Sequence, residues 1–422
     1  MNSNKESHET EIDSYDLLRK FSYSSSLLEH WLEVFGIDYL LKLINYLRMP
    51  MKSLWIQVNT NKIDFDSLLE IFYEHDYIAK KHELFEDFIE MDIQQKDFDT
   101  QLENLPILRV DHESSTGIAL GKDVQTADVT RYDNFETGDK VCVLDGASNV
   151  IAKGIAEVNS SEISNLTQRS VVKVKDSLAY APPLTEMRIY RRGYFNILTP
   201  IQAIAVNTMS LGLKDNILVM SNDKGDVASY IAEKTQDKVP ITVIAQNEMQ
   251  TNAIRKNLER SNSKAIRVHR SSFLKFLNEH HEIKYTAVYL EPQNSRTAVI
   301  PVFSSNLSFG KLKQFAEKQE KIVTNLYKCL HKETSITYVT HSVDYLENEG
   351  VFKSTLEKAY YTNQKHKKII KKLKDLNKIS SRNVSSEYEN IKEQLQESSI
   401  YLDPITTRNS GGFVCNFTLK EK

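Results

Sequence analysis

The strongest constraint on the fold is a set of short apolar runs in the second half of the chain, separated by segments long enough to form helices. Such a pattern is typical of parallel strands joined by crossover helices. From about residue 193 onward, the sequence therefore predicts an α/β domain with a doubly wound sheet. The runs lie at residues 217–220, 241–245, 265–268, 287–290 and 335–340.

The first hundred residues have a different texture. Apolar residues such as Leu28, Trp31 and Phe35 recur at helical spacing, which predicts a small helical region. Residues 54–58 then alternate like a strand, and residues 65–73 again have helical spacing. Residues 1–13 are polar and carry neither the basic start nor the apolar core of a secretory signal, so we expect a disordered tail there.

Between residues 105 and 192 the sequence predicts a second module made of short strands. Glycines punctuate this region at intervals that suit tight turns, which is typical of a small β-barrel. The glycines are Gly117, Gly121, Gly138, Gly146 and Gly154.

Composition excludes several classes of protein. No stretch approaches the roughly 18 consecutive apolar residues of a membrane-spanning helix, so we expect a protein of the cytosol or nucleus with no membrane partner. The cysteines, Cys142, Cys329 and Cys415, are far apart and without nearby histidines, which supports neither a disulfide framework nor a metal site. We expect them to be buried thiols. The net charge of −3 does not by itself argue for or against a nucleic-acid partner.

Residues 365–382 form a basic segment. It contains seven lysines and one arginine against the single acid Asp375, with Ile369, Ile370 and Leu373 at helical spacing. The pattern predicts an amphipathic basic helix. Its lysines form either a solvated face of the domain or a surface that binds RNA.

Several strings resemble the Sun/RsmB family of RNA (cytosine-5) methyltransferases, in the subgroup that carries a PUA module. Residues 55–63 read WIQVNTNKI, where WIRVNTLKI is typical, and the departure is at Gln57. Residues 117–124, 135–141 and 152–157 resemble successive strings of a PUA domain. Residues 193–195 and 409–414 resemble the start and the closing GGFF strand of the family's catalytic domain.

The resemblance implies a Rossmann-like S-adenosylmethionine-dependent methyltransferase fold, with a helical amino-terminal region and a β-barrel PUA module. The predicted organisation is a tail at 1–13, an α+β methyltransferase-like region at 14–104, a PUA domain at 105–192 and a degenerate methyltransferase domain at 193–422. The family subgroup modifies tRNA, so the implied partner is RNA.

The family's catalytic cysteines are missing from the aligned strings. Methylation of cytosine carbon 5 requires a thiolate that adds to carbon 6. The family's YSTCS string aligns with YVTHS at 338–342, which puts His341 at the nucleophile position, and the following Glu347-Asn348-Glu349 fixes the register. The DAPCSG string puts Asn294 at the second cysteine position, so we expect no catalytic residue in the conventional sense.

The motifs that bind the methyl donor also differ from the family's strings. Apart from its first leucine, Leu218, the family string LDxxAAPGGKT keeps only Gly225 in the ungapped alignment to residues 218–228. Ala245 occupies the position of the ribose-binding acid, with Glu248 nearby, and the third acid position holds Ser271. We therefore expect no bound cofactor. Any remaining contact with S-adenosylmethionine would lie at Gly225, Glu248 and Glu291.

Three hypotheses for function follow. The first is a non-catalytic RNA-binding homologue that uses its PUA module and basic surfaces on tRNA or rRNA, in company with an active RNA-modification enzyme. The second is an S-adenosylmethionine-dependent RNA methyltransferase with altered chemistry, and the third is a protein-assembly scaffold. For the first, the predicted RNA-binding residues are Lys122, Lys367, Lys368, Lys371 and Lys372.

Overall fold

The computed structural model describes residues 23–419, except for 102–103, 168, 303–304, 306, 357–358, 361–363, 377–383 and 385. The tail predicted at residues 1–13 and the last part of the predicted basic helix lie outside the described residues. Within the described ranges, no helix combines the length and apolar character needed to cross a membrane.

The helices and strands follow one another along the chain in three parts. The first part contains α1 (Ser25–Phe35), α2 (Ile37–Leu47), β1 (Ser53–Val58), α3 (Phe65–Glu74), β2 (Ala79–Lys81), β3 (Phe88–Asp92) and β4 (Gln94–Gln95). The middle part contains β5 (Ile107–Val110), α4 (His112–Ala119), β6 (Val124–Gln125), β7 (Val129–Tyr132), β8 (Lys140–Leu144), β9 (Val150–Ala156), β10 (Ser170–Ser177) and β11 (Ala179–Tyr180).

The last part begins with α5 (Arg188–Arg191), β12 (Phe195–Leu198), α6 (Pro200–Thr208), β13 (Ile217–Met220), α7 (Asp226–Lys234), β14 (Ile241–Ala245), α8 (Glu248–Ser261), β15 (Ile266–Arg270) and α9 (Phe273–Glu279). It continues with β16 (Ala287–Leu290), α10 (Phe309–Cys329), β17 (Ser335–Thr340), β18 (Ala359–Tyr360), α11 (Gln364–Asp375), α12 (Glu389–Leu395), β19 (Ser399–Leu402), α13 (Pro404–Thr407) and β20 (Gly412–Leu419).

The chain divides into two compact units. The first consists of residues 1–52, 93–183 and 300–309, and the second of residues 53–92, 184–299 and 310–422. The domain boundaries predicted from the sequence remain a prediction.

The first unit contains a six-stranded sheet in the order β6-β10-β9-β8-β5-β7. Its apolar side chains form one core, which includes Val143, Ile151 and Val172. Gly154 on β9 is required by close packing, because a Cβ there would lie 2.4 Å from the Lys173 carbonyl oxygen. The predicted module of short strands is therefore present, and close packing explains its glycine at position 154.

The second unit contains a small antiparallel sheet in the order β12-β1-β3-β2. The helix α3 begins at the N-cap Asp64, whose carboxylate accepts a hydrogen bond from the Ser67 amide at 2.9 Å. Ile56, Phe72 and Phe195 pack together beneath this sheet. The pairing of β12 with β1 joins segments about 140 residues apart in sequence, and the strand pattern alone did not predict it.

The second unit also contains the large sheet, in the order β15-β14-β13-β16-β17-β20-β18, with β19 paired to β20. The pairs among β13 to β17 are parallel and β20 is antiparallel. All five predicted strands are present, although β15 begins one residue later than predicted and extends to Arg270. Apolar clusters cover both faces of this sheet. Polar groups that could contact a ligand therefore lie at the ends of the strands.

Candidate functional site

The candidate site lies at the carboxyl edge of the large sheet, where doubly wound proteins bind their ligands. The residues that follow β13, β14, β16 and β17 meet there. Each of these strands is parallel to its neighbour, so the turn after each strand emerges on the same edge. This edge contains Gly225, Glu248, Glu291, Asn294 and His341, the positions singled out in the sequence.

The turn after β13 is closed by the Asp223 carboxylate. One of its oxygens accepts hydrogen bonds from the Gly225 amide at 2.8 Å and the Ser221 hydroxyl at 2.7 Å, and the other accepts from the Val227 amide at 2.7 Å. Gly225 has φ +98°, and a Cβ there would lie 3.2 Å from Ile254. Two backbone amides at the start of α7, where an anionic ligand group would bind, are thus already occupied.

Burial has a large effect on this carboxylate. Burial and, to a smaller extent, the negative charges of Asp226 and Glu291 together raise the pKa of Asp223 to about 7, against the hydrogen bonds from Val227 and Ser221, which lower it. Near neutral pH the Asp223 side chain is therefore close to the midpoint between its protonated and ionised forms.

Side-chain amides tie this turn to its neighbours. The Asn222 amide nitrogen donates to the carbonyl oxygens of Glu291 at 3.1 Å and Pro292 at 2.9 Å. The Gln250 amide, from α8, donates to the Ser221 carbonyl at 2.9 Å. The loops after β13 and β16 and the helix after β14 are therefore joined directly to one another.

His341 and Glu291 form a buried side-chain pair at the centre of this edge. The His341 Nε2 atom lies 3.2 Å from one Glu291 carboxylate oxygen, and both side chains are at most 2 % exposed. The other oxygen accepts hydrogen bonds from the Gln202 amide and the Tyr289 hydroxyl, each at 3.1 Å. Among the described residues, His341 Nδ1 has no hydrogen-bond partner.

The environment favours the ionised form of Glu291. Burial by itself would raise the pKa of Glu291, but the hydrogen bond and charge of His341 outweigh it, with help from Gln202 and Tyr289, so the pKa lies below its ordinary value. Burial also raises the pKa of Tyr289 well above its usual range, which keeps that hydroxyl protonated as a donor.

Asn294 stabilises the loop after β16. Its amide nitrogen donates to the Pro292 carbonyl at 3.0 Å, and its oxygen accepts from the Arg296 amide at 3.1 Å. The next residue, Ser295, donates its amide to the buried Glu347 at 2.9 Å. Neither Asn294 nor His341 provides a thiol, so the thiolate addition that the family resemblance implies has no nucleophile at either position.

Glu248 points away from this edge network. Its side chain is 75 % exposed and pairs with the Arg270 guanidinium at 3.2 Å. Ala245, at the end of β14, has no polar side chain to offer a ribose. Among the described residues, no group of three or more histidine, cysteine or acidic side chains is arranged to hold a metal ion.

A cavity of about 400 Å³ opens at the same edge. Its wall is apolar at Met220, Phe273 and Pro292, and Lys318 and Lys321 of α10 lie at its side. The remaining lining residues are Gln246, Ser272, Leu274, Gln293, Gln319 and Ile322.

The predicted RNA-binding lysines are exposed. Lys122 follows the tight turn at Gly121, which has φ +95°. Lys367, Lys368, Lys371 and Lys372 lie on α11, whose apolar face packs into the domain core through Leu373, Ile369 and Ile370. The predicted amphipathic basic helix is therefore present over Gln364–Asp375, with Lys367, Lys368, Lys371 and Lys372 exposed.

Comparison with known proteins agrees with this architecture. A PUA domain model matches residues 106–178, and a model described as 16S rRNA methyltransferase RsmB/F matches residues 206–407. The chain contains a PUA domain and a methyltransferase domain of the RsmB/F family. These two matches confirm the PUA module and the Rossmann-like fold that the sequence predicted.

Relatives of this family resemble the chain over most of its length. The tRNA (cytosine(72)-C(5))-methyltransferase of Pyrococcus horikoshii is 21 % identical over 339 residues, which cover 80 % of this chain and 87 % of the relative. The crystal structure of NSun6 from Pyrococcus horikoshii with SFG superimposes with a TM-score of 0.83 at 18 % identity, covering 95 % of this chain and 99 % of the other. A methyltransferase homolog protein from the same organism has a TM-score of 0.58 at 13 % identity, covering 96 % and 98 %.

Sequence reasoning missed several contributors to this family site. It gave no role to Asp223, Asn222 or Gln202, although an acid just before a helix start is a recognisable cap signal.

The expectation of three buried thiols was wrong for Cys329, which is only half-buried on α10. Cys142 and Cys415 are buried as expected.

Proposed function

We propose that this chain is a non-catalytic RNA-binding homologue of the PUA-containing RNA (cytosine-5) methyltransferases, associated with tRNA or rRNA. The observation that carries the proposal is the buried pair of His341 and Glu291. At the aligned nucleophile position there is an imidazole bound to a carboxylate instead of a thiol, and its buried location suits a structural contact.

The donor side of the site also supports this proposal. S-adenosylmethionine presents a ribose, an amino group and a sulfonium, which carboxylates recognise. Here Ala245 offers no carboxylate, Glu248 pairs with Arg270, and Asp223 is hydrogen-bonded within its own turn. The residues present therefore fit S-adenosylmethionine poorly, and each missing hydrogen bond would cost about 1–3 kcal/mol of binding.

The RNA-binding part of the proposal is supported by the PUA domain and by α11. The exposed lysines of α11 form a row of positive charges on a helix whose other face is anchored in the core, and one of them, Lys367, pairs with Glu397 at 2.7 Å. Such a row suits the phosphates of an RNA backbone. A tRNA is the first partner to test, because the Pyrococcus relative named above is a tRNA methyltransferase.

The competing function is an S-adenosylmethionine-dependent RNA methyltransferase with altered chemistry, which would need no cysteine. The observation that favours it is the same buried pair, because a carboxylate-bound imidazole can act as a general base. The Pyrococcus relative carries the name of a methyltransferase, so methyl transfer to tRNA exists in the family.

Two binding measurements on the full chain separate these functions. Filter binding with tRNA and rRNA fragments at low salt should give saturable binding that weakens as salt increases. Calorimetry with millimolar S-adenosylmethionine should give no saturable heat. Absence of RNA binding at low salt would remove the proposal, and saturable donor binding would favour the competing function.

A further inference from the structure

We propose that the cavity at the carboxyl edge binds a nucleotide, with the base against its apolar wall and a phosphate at Lys318 and Lys321. This binding site goes beyond the RNA-binding function proposed above. The family resemblance implies S-adenosylmethionine as the ligand at this edge. The starting observation is that the residues lining the cavity do not match this molecule.

The size and wall of the cavity suit a nucleobase. A volume of about 400 Å³ lies in the range of small-molecule sites. Met220 and Phe273 are 4 % and 2 % exposed, so their side chains form a firm apolar surface. Leu274 and Ile322 add two partly buried apolar side chains to the lining. A planar base would remove apolar area from water on this wall.

The charged side chains that line the cavity are all positive. Lys318 and Lys321 are one helical turn apart on α10, so their ammonium groups reach the same side of the cavity. None of the lining residues is acidic. In the described part of the chain, neither lysine forms an ion pair. An anionic group such as a phosphate would supply the missing counter-charge.

The polar lining residues also retain free hydrogen-bonding groups. The side chains of Gln246, Ser272 and Gln293 make no hydrogen bond to other described residues, and the Ser272 hydroxyl does not cap α9. These groups can pair with the polar edge of a base. S-adenosylmethionine fits less well, because its amino group and sulfonium would meet two lysines and no carboxylate.

The same chemistry could come from a free nucleotide or from an unpaired nucleotide of an RNA strand. Calorimetry on the full chain at low salt would use AMP, GMP, CMP and UMP, with adenosine as the uncharged match to AMP. We expect at least one monophosphate to bind saturably, and we expect AMP to bind about tenfold or more tightly than adenosine.

The double variant Lys318→Gln/Lys321→Gln should reduce monophosphate affinity by about tenfold or more. The matched control is Lys284→Gln/Lys328→Gln, which removes the same charge from exposed sites outside the lining and should bind as the unaltered chain does. If no monophosphate saturates in the millimolar range, or if the lysine variant binds equally well, the proposal is wrong. Tighter binding of S-adenosylmethionine than of every monophosphate would also overturn it.

A competition experiment identifies the source of the nucleotide. If a short 5′-phosphorylated RNA displaces bound monophosphate from the unaltered chain, the occupant is a nucleotide of the RNA. If the RNA binds without displacing the monophosphate, the occupant is a free nucleotide. RNA binding of the lysine variant is also measured without nucleotide. This measurement tests the proposed RNA-binding function separately, so a failure of the nucleotide site can be told apart from a failure of that function.

Discussion

His341 Nε2 lies 3.2 Å from Glu291, and these two residues follow directly after the neighbouring parallel strands β17 and β16. The family alignment puts a cysteine at one position and an aspartate at the other. In this chain the two positions contact each other, with Gln202 and Tyr289 completing the carboxylate's hydrogen bonds. The Glu291 carboxylate is thus fully hydrogen-bonded within the protein, which suits a role in stability, while His341 Nδ1 has no partner among the described residues.

Removing the imidazole should destabilise the chain strongly. His341→Ala leaves the Glu291 charge buried without its partner, and we expect the free energy of unfolding to fall by about 3–5 kcal/mol. Urea unfolding followed by circular dichroism measures this. The exposed variant Lys284→Ala should change it little. A decrease below about 1 kcal/mol for His341→Ala, a value typical of exposed pairs, would contradict the structural role.

Restoring the cysteines should not restore methylation. The double variant His341→Cys/Asn294→Cys supplies both thiols, but Asp223 still occupies the amides of the turn and Ala245 still offers no carboxylate. We expect no 5-methylcytosine in tRNA by mass spectrometry, with the Pyrococcus horikoshii tRNA methyltransferase as the positive control. Formation of 5-methylcytosine by the double variant would show that the donor site is functional.

Glu233 should make stability depend on pH. Burial raises the pKa of Glu233 to about 7 from 4.5, against hydrogen bonds from Thr60 and Gln57. The folded chain therefore keeps a proton that the unfolded chain releases, and the stability this provides, full below about pH 4.5, is lost as pH rises through 7.

The variant Glu233→Gln should remove this dependence. We expect the difference in unfolding free energy between Glu233→Gln and the unaltered chain to shift by about 3 kcal/mol between acidic and alkaline pH, in favour of the variant at high pH. Urea unfolding across that range measures the shift. The exposed Glu279→Gln should shift little, and a difference for Glu233→Gln that stays constant across the pH range would contradict the raised pKa.

The lysines of α11 should contribute to RNA binding through phosphates. Replacing Lys367, Lys368, Lys371 and Lys372 with glutamine should weaken tRNA binding for all sequences. It should also reduce the slope of log affinity against log salt by about 0.7–0.9 for each phosphate that the variant no longer neutralises. Filter binding at several salt concentrations measures both.

A charge-matched control distinguishes a specific effect of α11 from a general decrease in positive charge. It replaces four exposed lysines elsewhere in the second unit, namely Lys214, Lys264, Lys284 and Lys328. If the control weakens binding as much as the α11 variant, the helix has no special role in RNA binding.

The strands of the large sheet could be predicted because each one is buried along its length, and this burial is visible in its own short segment of sequence. The runs at β13, β14 and β16 are buried on both faces, so each is a continuous apolar segment in the sequence. The pairing of β12 with β1 could not be predicted in this way. It joins two strands that are separated in the sequence by the whole predicted β module.

The candidate site could be predicted only in part. Alignment to the family strings located His341, Asn294 and Glu291, but it did not indicate that His341 and Glu291 touch. That contact depends on β16 and β17 being neighbours, which a single strand's sequence does not specify. Asp223 is different, because an acid two residues before a glycine at a helix start is a local cap signal.

Equilibrium dialysis of the full chain with radiolabelled S-adenosylmethionine, with and without saturating tRNA, tests the central claim most directly. We predict that tRNA is bound while the labelled donor shows no saturable uptake in the millimolar range and no label enters the RNA. Saturable uptake of the donor, or transfer of its label to the tRNA, would contradict the proposed function.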